Sequence, residues 1–133
     1  MTLHELSRNI RMNEELERNT EMLEHLKTKA YSAPLPNLSG MPRGGEIHSR
    51  PEMFAVEITD LEGRIAFLKK EIENQRRAIS QYCDSIEDVK IRNVFRMRFL
   101  HCMSWKEVAY MTGRSYSESG VKTMVYTYLN NNH

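Results

Sequence analysis

The stretch SWKEVAYMTGRSYSESGVKTMVYTYL, Ser104 to Leu129, decides how the chain folds. It holds two short helical patterns on either side of Gly113, each opened by a serine with a glutamate three residues later: Ser104 with Glu107, and Ser115 with Glu118. That spacing lets the serine oxygen accept from the backbone N–H three residues on, while the glutamate reaches back to the serine N–H. The first pattern places Trp105, Val108, Ala109 and Met111 on a short helix, which Gly113 ends with a left-handed residue. The second predicts a helix from about Tyr116 to Leu129, burying Val121, Met124 or Val125, Tyr128 and Leu129. Tyr116, Ser117, Ser119, Gly120, Lys122, Thr123 and Tyr126 are left facing outward.

Upstream, Asp84 or Ser85 is expected to start a helix apolar on two sides. Ile86, Val89, Val94, Met97 and Leu100 form one stripe, and Ile91, Phe95, Phe99 and Cys102 form the other. Such a helix is central to its unit. Arg92 and Arg96 lie one turn apart on what remains exposed. Before that unit the sequence changes character. Phe54, Ile58, Leu61, Ile65, Leu68, Ile72, Gln75, Ile79 and Tyr82 alternate steps of four and three, a heptad seam interrupted only by Gln75. Ser49, Pro51 and Glu52 supply its start signals. The seam needs a partner, since each large side chain buried returns about 1.5–3 kcal/mol.

Leu3, Leu6, Ile10, Leu16, Leu23 and Leu26 give a first amphipathic helix, to about Lys29, with Thr2 and Glu5 as its capping box. Between the two helices, Tyr31 to Arg50 holds Pro34, Pro36, Pro42 and three of the six glycines, so no helix or strand runs through it. The first helix folded back on the second is the simplest partner, and the same helix of a second copy is the rival. The expected organisation is therefore all-α. A coiled-coil hairpin spans 1–83 with its Pro/Gly-rich loop at 31–50, and a helix-turn-helix unit spans 84–133.

Composition narrows the function. The chain has 133 residues and a formal charge of +1, with 19 basic residues against 18 acidic. Seven Lys or Arg against four Asp or Glu from Ser85 to His133 leave a local +3, so a polyanion partner would meet only the C-terminal third. Cys83 and Cys102 show neither CxxC spacing nor a histidine at ligand distance, and reduced thiols in a cytoplasm are the expectation. His25 and His101 likewise lack a second ligand at i+3 or i+4. The acidic residues Glu14, Glu15, Glu17, Glu21 and Glu24 read as a solvated face, and Trp105 as a core anchor. No apolar run reaches the roughly 18–20 residues of a membrane span. No phosphate loop, catalytic triad in recognisable context or carboxylate pair in a cleft is read, so neither an enzyme nor a cofactor is expected.

Helix, glycine turn and helix form the arrangement in which the second helix enters the major groove. RMRFLHCMSWKEVAYMTGRSYSESGVKTMVYTYL resembles the DNA-binding fourth region of bacterial sigma factors. The layout of the whole chain is similar to small phage and prophage transcriptional regulators of the ArpU and RinA type. That resemblance implies a cytoplasmic, DNA-binding regulator of phage late genes in a bacterial host. Its implied partners are double-stranded DNA, host RNA polymerase, and a second copy through the coiled coil. It carries over Ser115, Tyr116, Ser117, Ser119, Lys122, Thr123 and Tyr126 as candidate contacts, with Arg92, Arg96, Lys106 and Arg114 as phosphate neighbours. Gly113 and Val121 lie eight apart where sigma-type units have about six, so either the turn is longer or the helix begins earlier. Two other functions share this layout: a DNA-packaging recognition subunit, and a protein-only adaptor or host-inhibitory factor.

Overall fold

The computed structural model describes residues 1–31 and 50–132. Among the described residues five α-helices follow in the order α1 (Leu3–Tyr31), α2 (Arg50–Asp84), α3 (Val89–Phe95), α4 (Trp105–Thr112) and α5 (Glu118–Asn131), and α3 continues into a π-helical segment, Arg96–Leu100. Strands are absent among the described residues. The expected loop and the Ser49 cap fall outside them.

Two compact units are present: residues 1–14 together with 69–133, and residues 15–68. The boundary expected at 83/84 does not coincide with them. In the first unit Leu6 of α1 and Ile79 and Cys83 of α2 are fully buried in the same core as Ile86, Val94, Phe95, Phe99, Val108, Val121 and Val125. A three-helix unit of fewer than about 50 residues has little interior of its own, and the ends of the long helices supply the missing wall. Phe95 is the hub, its ring 5.4 Å from Phe99, 5.3 Å from Tyr128 and 6.0 Å from Tyr82.

Thr2 caps α1 as its spacing predicts, its Oγ1 accepting from Glu5 N–H at 3.1 Å while Glu5 Oε2 accepts from Thr2 N–H at 3.2 Å. The start of α3 at Val89 lies four residues beyond Ser85 and five beyond Asp84, the two expected starts. Bonds from Ser85 N–H and its hydroxyl to Tyr82 O, and from Ile86 N–H to Cys83 O, close α2. Ile86 then drops into the core, and Asp88 caps the new helix by accepting from Ile91 N–H at 3.1 Å. This leaves Val89, expected in a buried stripe, 61% exposed. Cys102, expected on the helix, follows it at φ 56°.

In the second unit α1 and α2 run in opposite directions. Glu15 meets Arg64, whereas Leu26 and Ala30, in the last two turns of α1, pack with Ile58. The seam is buried at Ile58, Ile65 and Leu68 and half-buried at Phe54 and Leu61. Arg64 holds both Glu15 oxygens, Nε to Oε2 at 2.6 Å and a terminal nitrogen to Oε1 at 3.0 Å. These hydrogen bonds pull the Glu15 carboxyl below its ordinary range.

Candidate nucleic-acid interface

The site is built on α4, the residues linking it to α5, and the outward side of α5. Ser104 caps α4 with the full reciprocal box: its Oγ accepts from Glu107 N–H at 3.1 Å, and Glu107 Oε1 accepts from Ser104 N–H at 3.4 Å. Gly113 ends the helix at φ 145° and ψ 164°, a positive-φ region other than the left-handed helical one expected. A side chain there would be strained.

The expected Ser115 cap is replaced by Ser117. Tyr116 N–H bonds to Gly113 O at 3.1 Å and its ring packs against the core. The chain is thereby still turning at Tyr116, and Ser117 takes the extended conformation of a cap, its Oγ accepting from Gly120 N–H at 3.0 Å. Of the two ways to accommodate the Gly113–Val121 spacing, the longer turn is the one adopted.

From Ser117 onward the period of α5 sorts its side chains. Val121, Val125 and Leu129 are buried, whereas Ser119, Thr123, Tyr126, Thr127 and Asn130 are exposed along the opposite side. Lys122 stands half-buried at the flank of that side. Ser119, Thr123, Tyr126 and Asn130 follow steps of four, three and four, so they project as one row. Thr127 and Asn130 extend the row beyond the residues read from the sequence, and the same spacing carried on from Ser119 would have found them. Tyr126 leans its ring edge on Trp105 at 6.3 Å, and Trp105 meets Phe99 at 6.3 Å. Trp105 thus anchors the exposed row to the core.

The candidate cations divide into two groups. Arg92 and Arg96, expected on the exposed side, are half-buried and bound within the fold. Arg92 Nε donates to Ile86 O at 2.9 Å and a terminal nitrogen to Glu87 O at 3.3 Å, satisfying carbonyls that the 86–88 bend leaves without helical partners. Arg96 pairs with Asp84. Both attachments follow from the later start of α3. Lys106, Arg114 and Ser115 are exposed, and Lys106, Arg114 and Lys122 enter no ion pair among the described residues.

Lys90 was not anticipated. Its Nζ donates to Tyr116 Oη at 2.5 Å and lies 5.0 Å from the ring centroid, and that hydrogen bond raises the ammonium above the ordinary lysine range. Lys90 stands 26 residues from Tyr116, so no local spacing signals the pair. Arg98 stacks over Trp105 at 4.5 Å, and burial lowers its guanidinium below the usual value. A groove of about 600 Å³ opens on α3, the π-helical segment and α4, lined by Val89, Met97 and Met111 with Lys90, Arg96 and His101.

Burial pushes the Cys83 thiol up to about 11 and raises Cys102 as well, the opposite of the shift that activates a cysteine. Among the described residues no three His, Cys, Asp or Glu side chains are grouped so as to hold a metal ion, and no helix is long and apolar enough to cross a membrane. Compared with known protein families, characterised proteins and solved structures, the chain matches none. The functional reading therefore stands on these residues.

Proposed function

We propose that the chain is a sequence-specific DNA-binding transcriptional regulator that reads the major groove with α5. The observation that carries this reading is the exposed row Ser119, Thr123, Tyr126 and Asn130, a set of hydroxyls and an amide free of carboxylates, with Lys122 at its edge. Such groups hydrogen-bond base edges in a groove about 12 Å wide. At 14 residues α5 is about 21 Å long, enough to lie along the groove. Lys106 and Arg114 supply cations for the flanking phosphates. The backbone N–H groups at the start of α5 favour an anion, although Glu118 in the first turn opposes one there. Regulation of phage genes and contact with host RNA polymerase are the context that the sequence resemblance adds to this reading.

The test is a titration of a random-sequence duplex pool across salt concentrations. Binding should weaken as salt rises, with a log–log slope near 0.9 per phosphate neutralised. Lys122→Ala should weaken binding and lower that slope by about one if the lysine meets a phosphate, with helical content unchanged. Equal affinity in the variant, or absence of binding at low salt, would sink the reading. The protein-adaptor alternative draws support from the apolar groove on α3 and α4, and it gives no DNA shift at any salt concentration.

A further inference from the structure

α2 carries a second seam on the side away from Ile58, Leu61, Ile65 and Leu68. Met53, Val56, Asp60, Gly63 and Phe67 repeat steps of three and four, which keeps them on one face. Met53 is 61%, Val56 71% and Phe67 49% exposed, an apolar content that solvent-facing helix positions seldom concentrate on one line. Beside Val56 lies a shallow hollow of about 250 Å³ lined by Ala55, Val56, Thr59 and Asp60. At Gly63 there is open space, with nothing within 4 Å of where a Cβ would stand.

We infer that this face docks against the same face of a second copy of the chain, with the two α2 helices antiparallel. In an antiparallel seam, alternate positions of the heptad face one another across the axis. The register that sets Phe67 of one copy opposite Val56 of the other, over the hollow, also sets Asp60 opposite Gly63, where the missing side chain leaves room. A knob and its hollow on the same helix make the patch self-complementary, as a two-fold interface requires.

Charge selects the direction. From Glu52 to Glu62 the helix carries Glu52, Glu57, Asp60 and Glu62 and no cation, and from Arg64 to Lys70 it carries Arg64, Lys69 and Lys70 and no acid. A parallel pair would set Glu57 against Glu57 and Arg64 against Arg64, whereas the antiparallel pair sets Glu57 beside Arg64 twice. Arg64 is already fixed, by its bonds to Glu15 and over the Phe67 ring at 5.1 Å from its centroid, so it reaches the second copy with its remaining nitrogen and loses little further freedom. The paired stretch from Val56 to Phe67 is about 18 Å long, which makes a weak, concentration-dependent dimer. This inference is independent of the DNA reading.

Sedimentation equilibrium of the full chain over increasing concentration should show monomer passing to dimer. Val56→Lys, at a position outside the core, should hold the protein monomeric with its helical circular dichroism unchanged. Direction is read by cross-linking in a Cys102→Ser background. A mixture of Val56→Cys and Phe67→Cys chains should be joined by a short bismaleimide, while Val56→Cys chains alone should not. A monomer at every concentration, a dimer that survives Val56→Lys, a larger assembly, or linkage of Val56→Cys to itself would each overturn the inference. None of these outcomes bears on whether α5 binds DNA.

Discussion

In the unit formed by residues 1–14 and 69–133, a core several side chains deep closes around Phe95 and Phe99, fed by all five helices. In the unit of residues 15–68, Leu26, Ala30 and Ile58 form a thin cluster where two helices meet along one line. The first buries aromatic rings from segments distant in sequence, and the second repeats a single contact. Depth gives the first unit its own stability. The second leaves Met53, Val56 and Phe67 exposed on its outer side, so it gains more from an external partner.

Mutations can measure that contrast. Phe95→Ala removes the ring that Phe99, Tyr128 and Tyr82 share and should cost about 3–5 kcal/mol in denaturant unfolding. Leu26→Ala should cost nearer 2 kcal/mol, because a thin cluster relaxes around the gap. Amide exchange would show its effect confined to residues 15–31 and 50–68; protection lost equally around Phe99 would mean that the two units do not differ in cooperativity. Glu15→Gln is the smallest change, below about 1 kcal/mol, since the pair with Arg64 is partly solvated. Its pH dependence has a definite sign. The folded carboxyl titrates below its unfolded value, so its contribution is present above the unfolded value and is lost as pH falls through the lowered folded value. An acid titration of stability should be shallower in Glu15→Gln than in the parent chain.

The same contrast explains what the sequence disclosed. A two-helix seam repeats every seven residues, so Ile58, Ile65, Leu68 and Ile72 could be placed from spacing alone, as could the Thr2 and Ser104 capping boxes. Ala30 escaped because a small side chain adds little to a hydrophobic pattern, and Asn9 because it is polar though fully buried. The starts of α3 and α5 were misplaced for a common reason. Several residues near each start can cap a helix, and the choice fell to where Ile86 and Tyr116 had to enter the core. Tertiary packing decided between local signals of similar strength. For the candidate site, the period of α5 was enough to find Ser119, Thr123 and Tyr126 of its polar row. Whether Arg92 and Arg96 are free depends on the carbonyls of the 86–88 bend for the first and on the Asp84 carboxylate for the second, and spacing reveals neither.

Asn9 has a consequence for anyone dividing this chain. Its Nδ2 donates to Phe99 O at 3.0 Å and lies 3.5 Å from Cys102 Sγ, while Arg76 donates to Leu100 O at 2.6 Å and Arg98 to Met103 O at 2.8 Å. Three side chains, two of them from the long helices, thus fasten the corner from which α4 departs. A recombinant fragment beginning at residue 84 would shed two of those fasteners along with Leu6 and Ile79. An excised C-terminal piece that failed to bind a duplex would therefore report on a loosened hinge rather than on the reading surface itself.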